Sequence, residues 1–146
     1  MSPETLEILF TVSNASVMPF WLALILAPGW RVTERLARSP WIALPPALLY
    51  AVMMAPKVPG MLAALVQPKL ADIAALLGQP ELALIGWLHY LAFDLTVGRM
   101  IYLDLRERRV HGLVAAPILF MVLMFDPIGF CLWLALRGVA TRRAAG

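Results

Sequence analysis

His89, Asp94 and Arg99 lie inside the apolar run GWLHYLAFDLTVGRMIYLD, residues 86–104. Exposing a charge to lipid at mid-membrane costs about 3 kcal/mol on insertion scales, so such groups normally face a bundle interior or a water-filled cavity. Imidazole exchanges a proton near neutral pH, and burial disfavours the charged forms of both His and Asp. A neutral Asp94 can then protonate an oxygen while a neutral His89 takes a proton from carbon. The alternative is that both side chains are satisfied by hydrogen bonds and hold helices together.

On an α-helix Trp87, Tyr90, Asp94, Gly98 and Ile101 fall on one stripe, and His89, Phe93, Thr96 and Met100 on another. His89 and Asp94 are about 140° apart around the helix, so they are not a simple i,i+4 pair. Both face inward only if neighbours flank the helix on two sides or a π-bulge brings them together. Their partners are therefore expected on other helices, with Asn14 of the first apolar run in polar reach of one of them. Arg99 lies nearer the helix end, where snorkelling is the plain reading. Asp104 and Glu107, with the arginines that follow, read as a solvated loop. Asp126 is a second carboxylate within an apolar run. It either shares a cavity with Asp94, which suits general acid work, or belongs to an Asp-Pro turn in a broken helix.

Composition says what kind of chain carries these groups. Of 146 residues, 62% are hydrophobic and only 14% charged, against about 25% charged in soluble domains. An integral membrane protein of one helical domain follows. No basic patch interleaves with aromatics, which argues against nucleic acid. The single Cys131 allows no internal disulfide, and with His89 and His111 as the only histidines no metal-ligand spacing exists. Nor is there a glycine-rich phosphate cradle, and no cofactor is expected. The acidic start MSPETLEILF resembles neither a secretory signal nor a transit peptide, so the first apolar run is expected to stay in place.

The elements that position these residues are four apolar runs. The reading is an all-α integral membrane protein, one domain over 1–146, with four transmembrane helices at about 6–27, 37–55, 81–103 and 113–136 in a compact bundle. Ser2 caps the first helix with Pro3 in its first turn, and Pro28-Gly29 ends it. Pro45-Pro46 weakens the start of the second. Pro127 should kink the fourth. Between the second and third, residues 57–79 are punctuated by Pro and Gly. Leu70, Ile73, Ala74 and Leu77 share a face there, which suits an interfacial amphipathic connection or a lid. Six arginines in the first and third loops face five basic residues elsewhere, an almost even split that places both termini outside.

The residues around Trp87, His89, Tyr90, Asp94 and Gly98 carry a resemblance. GWLHYLAFDLTVGR resembles the hallmark of the abscisic-acid-deficient-four-like membrane protein family, related to plant neoxanthin synthase. FTVSNASVMPFWLALILAPGW resembles the family's first helix and DPIGFCLWLALR its last. The sequence departs at Asp126, where the family pattern has glycine, and at Ser13-Asn14, where Ala-Asn is commoner. The resemblance implies a small, cofactor-free membrane protein of xanthophyll metabolism. In the plant reaction a 5,6-epoxide opens to a hydroxyl and an allene without net redox change. That needs an acid at the epoxide oxygen and a base at the C7 proton, and Asp94 and His89 are the groups on offer. Asn14, Trp87, Tyr90, Arg99 and Asp126 are the candidate ligand contacts. A bacterial inner-membrane protein in contact with the lipid bilayer, with a polyene or isoprenoid ligand, is the expectation. The competing class is a non-catalytic membrane protein that binds an apolar ligand or scaffolds a partner. Ion or proton transport has less support, since one helix with three ionisable groups makes a thin pathway.

Overall fold

The computed structural model describes residues 1–144 and is all-helical among them. The helices are α1 (Pro3–Leu26), α2 (Arg31–Arg38), α3 (Leu44–Met54), α4 (Val58–Val66), α5 (Leu70–Leu77), α6 (Pro80–Glu107) and α7 (Gly112–Ala144), with 3₁₀ turns at Pro40–Ala43 and Ala55–Lys57. Ser2 caps α1 as expected: its Oγ accepts the Thr5 N–H at 3.2 Å. The second apolar run differs from expectation. Leu36 and Ala37 belong to α2, and the chain leaves helical geometry at Ser39. The helical stretch starts at Pro40 instead and continues through the 3₁₀ turn into α4, because prolines at helix starts need no N–H partner.

By length and apolar composition three stretches are able to cross a membrane: Pro3–Leu26, Pro40–Leu62 and Gly112–Gly138. This is a membrane protein's helix set. Helix α6 is as long as these, but His89, Asp94 and Arg99 dilute its apolar run.

Contacts divide the chain into two compact units, Met1–Val17 with Ala43–Ala92, and Met18–Ile42 with Phe93–Gly146. In the first, Met53, Leu84, Ile85 and Leu88 form the core, with Leu6, Leu9, Leu49 and Tyr50 packed on it. Lys57 and Glu81 pair at 3.2 Å where the two helical runs end.

In the second unit the core is Trp21, Leu24, Leu95, Ile101, Tyr102, Leu105, Leu119 and Val122. Its helix ends are tied by side chains. The Thr33 hydroxyl donates to the Ala27 carbonyl at 2.9 Å, and the Tyr102 hydroxyl to the Pro28 carbonyl at 2.8 Å. Arg99 Nε donates to the Ala37 carbonyl at 2.9 Å, at the end of α2. Glu34 is held by Arg38 and Arg106 at 2.8 and 3.1 Å.

Helix α7 is two helices joined at a break. Phe125 leaves the helical region (φ −148°, ψ 68°), and Pro127 has no N–H for the Leu123 carbonyl. The halves fold against each other: a Cβ on Gly129 would run into the backbone of Val122, so only glycine fits there. Both ends return to one place. Gly112 lies beside Pro28, whose carbonyl accepts the Tyr102 hydroxyl. From the far half, the Trp133 indole N–H donates to Asp104 at 2.8 Å and Arg137 reaches the same carboxylate at 3.7 Å. Asp104 is thus an anchor for α7, not a solvated loop residue. The break itself lies at the level of Asp94, whose carboxyl feels the charge of Asp126. Asp94 is about 15 Å along α6 from Asp104, near half of a ~30 Å hydrocarbon core.

Two outcomes follow from this arrangement. In a Cys131→Ser background, Arg109→Cys and Gly138→Cys should be labelled by a membrane-impermeant thiol reagent from the same side; labelling from opposite sides would show that α7 crosses. The hydrogen bonds from Arg38 and then Arg106 hold the Glu34 carboxyl below its ordinary value. A depressed carboxyl stabilises the fold fully above the unfolded pKa, and that contribution is lost as pH falls through the lower folded value. Wild type should therefore lose thermal stability on acidification over this window more steeply than Glu34→Gln, as read from melting curves in detergent.

Candidate functional site

In the first unit the polar side chains of α1 are mostly satisfied within their own helix. Ser13 Oγ and Asn14 Nδ2 both donate to the Phe10 carbonyl, at 2.9 and 2.7 Å. The remaining Asn14 oxygen accepts the Trp87 indole N–H at 3.1 Å, and the Phe10 and Trp87 rings stand 5.7 Å apart. Asn14 and Trp87, both expected at the site, are brought together as an interhelical clasp. Such bonds in membrane proteins average about 0.6 kcal/mol, so the clasp sets register more than it adds stability.

His89 is exposed, not enclosed in a bundle interior. The buried stripe of α6 in this unit is Leu84, Ile85, Leu88 and Leu91, and His89 follows one residue after Leu88, about 100° round the helix. Its ring lies 5.6 Å from that of Tyr50 and 6.0 Å from that of Tyr90. These three residues line one wall of a cavity of about 200 Å³. Met54, Met61 and Leu82 continue the wall, and Ile73, Leu76 and Leu77 of α5 close it. Leu77 reaches Gly86, where an added Cβ would sit 3.4 Å from its Cδ2. Residues 70–77 therefore cover the cavity through Ile73, Leu76 and Leu77, while Leu70, expected on the same face, points away and is exposed. Ile73 and Leu77 belong to the face whose spacing suits a lid, whereas Leu76 carries no sign of the cavity in the sequence.

In the second unit Asp94 and Asp126 are both half-buried. They lie close enough to interact electrostatically. Asp126 Oδ1 is buried and has no hydrogen-bond partner among the described residues. The carboxylate thus stands at the break of α7, as the Asp-Pro alternative expected, within electrostatic reach of Asp94. Arg99 is half-buried and bonded to the Ala37 and Arg38 carbonyls. It does not snorkel freely: a cation at a helix C-terminus meets both the orphan carbonyls and the negative end of the dipole. Gly98 is the position that lets Trp21 in. A Cβ there would overlap the indole ring, which is fully buried. Among the described residues no group of His, Cys, Asp and Glu is arranged to hold a metal. His89 and Asp94 fall in different units, and each has its own surroundings as given.

A family model described as ABA4-like, ABA DEFICIENT 4-like, matches residues 8–133, and the chain belongs to that family. No curated protein and no solved structure matches it.

Gly98→Ala should destabilise the protein by about 1–3 kcal/mol, the usual cost of overpacking. Thermal melts in detergent measure this. Adding Trp21→Leu should recover part of the loss, because the two side chains compete for one space; strictly additive effects would show that they do not.

Proposed function

We propose, from its place in the ABA DEFICIENT 4-like family, that this protein binds the ring end of a carotenoid or related isoprenoid in a bacterial inner membrane and isomerises it. The observation that carries the reading is the cavity walled by His89, Tyr50 and Tyr90, apolar elsewhere and covered by α5. Its ~200 Å³ is smaller than the roughly 300–1,000 Å³ of pockets that enclose a drug-sized ligand. It suits one cyclic end group, with the polyene left outside the cavity. On this reading α6 crosses the bilayer beside the two other apolar runs α1 and Pro40–Leu62, since His89 then meets a ligand rather than bare lipid.

For an epoxidised end group the step is a redox-neutral isomerisation. A base removes the C7 proton, and its electron pair forms the C6–C7 double bond. The C6–O bond breaks, and the oxygen, still on C5, takes a proton. His89 is the proposed base. Asp94 is the acid that the family resemblance offers; it lies in the second unit beside Asp126 and does not line the cavity. Trp87 and Asn14 hold the start of α6 in register, and Arg99 holds its other half against α2. No metal or redox cofactor enters this scheme.

The test is expression in cells that accumulate epoxidised xanthophylls, followed by pigment analysis. Wild type should yield an allenic isomer. His89→Gln and Asp94→Asn should each lower its formation by about 10²–10⁴-fold, the usual contribution of a general acid or base. Pigment that copurifies unchanged with wild type would sink the catalytic reading and leave ligand binding. Asp94→Asn with undiminished conversion would remove Asp94 from the mechanism.

A further inference from the structure

We propose that the groove between the end of α1, the end of α6 and the start of α7 is a binding site for an anionic phospholipid. The groove lies within the second unit and has a volume of about 490 Å³. Its walls are of two kinds. Ile25, Leu26, Leu105 and Leu113 are apolar, whereas Arg106 and His111 are polar and stand among them. An acyl chain fits the first set and a phosphate the second.

The polar wall is arranged to donate. His111 Nδ1 accepts the Leu113 backbone N–H at 3.3 Å, so in the neutral ring the proton is on Nε2. Both Arg106 and His111 are exposed, and the guanidinium of Arg106 spends one nitrogen on Glu34. Arg109, with φ at +53°, turns the chain between them. The wider setting is cationic as well. Ion pairs gather Arg38 and Arg106 around Glu34, and Arg108 and Arg137 around Asp104. Arg31 and Arg35 share α2, so seven arginines meet three carboxylates here, Glu34, Asp104 and Glu107.

A phospholipid, rather than a free anion, is favoured by the apolar wall. The groove also opens where α1 and α6 end, so an acyl chain beside Leu26 and Leu113 lies along the two helices. The fully buried Tyr102 hydroxyl is already committed to the Pro28 carbonyl, which fixes one wall of the groove without a ligand.

The experiment is native mass spectrometry of the full chain mixed with phosphatidylglycerol or phosphatidylcholine of identical acyl chains. Phosphatidylglycerol should be retained over phosphatidylcholine by at least fivefold. Arg106→Gln should lower that preference roughly fivefold, the effect of one basic residue at an anionic surface. Because Arg106 also pairs with Glu34, His111→Ala and Arg109→Gln serve as independent variants; each should reduce the preference while the melting temperature stays near that of wild type. Lys57→Gln, outside the groove, should leave the preference unchanged. Equal retention of the two lipids would overturn the proposal, as would an undiminished preference in the His111 and Arg109 variants. Displacement of the lipid by millimolar glycerol phosphate would overturn it too, since the site would then read the headgroup alone.

Discussion

The last carbonyls of a helix have no partner within it, and the second unit is built around meeting that demand. Thr33 turns back to the last turn of α1, Tyr102 closes the Pro28 carbonyl, and Arg99 caps α2. Each donor comes from a neighbouring element, so each cap is also a tertiary contact. The spacing of Arg99 and Tyr102, three residues apart on α6, lets one helix face serve both α2 and the turn after α1. Trp21 can lie against that face only because Gly98 has no side chain.

The same demand shapes α7. Its break at Phe125 and Pro127 frees backbone groups, and the halves close on each other at Gly129. At this break the chain places Asp126. A carboxylate beside a break exchanges backbone freedom for a charge, and its buried oxygen lacks a donor among the described residues. Asp94 is its electrostatic neighbour and supplies no donor when ionised. The pair is therefore costly unless a proton or a ligand group is shared between the two carboxyls.

Much of the helical inventory could be read from the sequence, because length, apolar runs and Pro/Gly punctuation are local signals. The start of α1 at Ser2-Pro3, its end before Pro28-Gly29 and the Pro127 kink are all of this type. Composition also gave the membrane class. The two polar-bearing stripes named on α6 are not the one that faces protein, which is Leu84, Leu88, Leu91 and Leu95, because that choice depends on the neighbours. So His89 was expected inside and is exposed, while Leu88 and Leu95 took the interior. Asp104 looked like loop material because its partners, Trp133 and Arg137, are about thirty residues away and meet it only after α7 folds back. Nothing in residues 113–136 distinguishes one long crossing from two half-length helices. Both bury the same apolar side chains, and only the contacts separate them.

That fold-back also bears on how the chain sits in a bilayer. With α7 treated as a crossing, the basic residues divide almost evenly, and charge gives no firm orientation. With both ends of α7 at Asp104, Arg137 lies on the side of Arg31, Arg35, Arg38, Arg106, Arg108 and Arg109. The first unit holds only Lys57 and Lys69 as basic residues. Positive charge near membrane-spanning segments is retained on the cytoplasmic side. The arginines thus gather in the second unit, while the first begins with the acidic Glu4 and Glu7. A single break at Phe125 thus converts an ambiguous charge distribution into a polarised one. The same break brings Asp126 within electrostatic reach of Asp94.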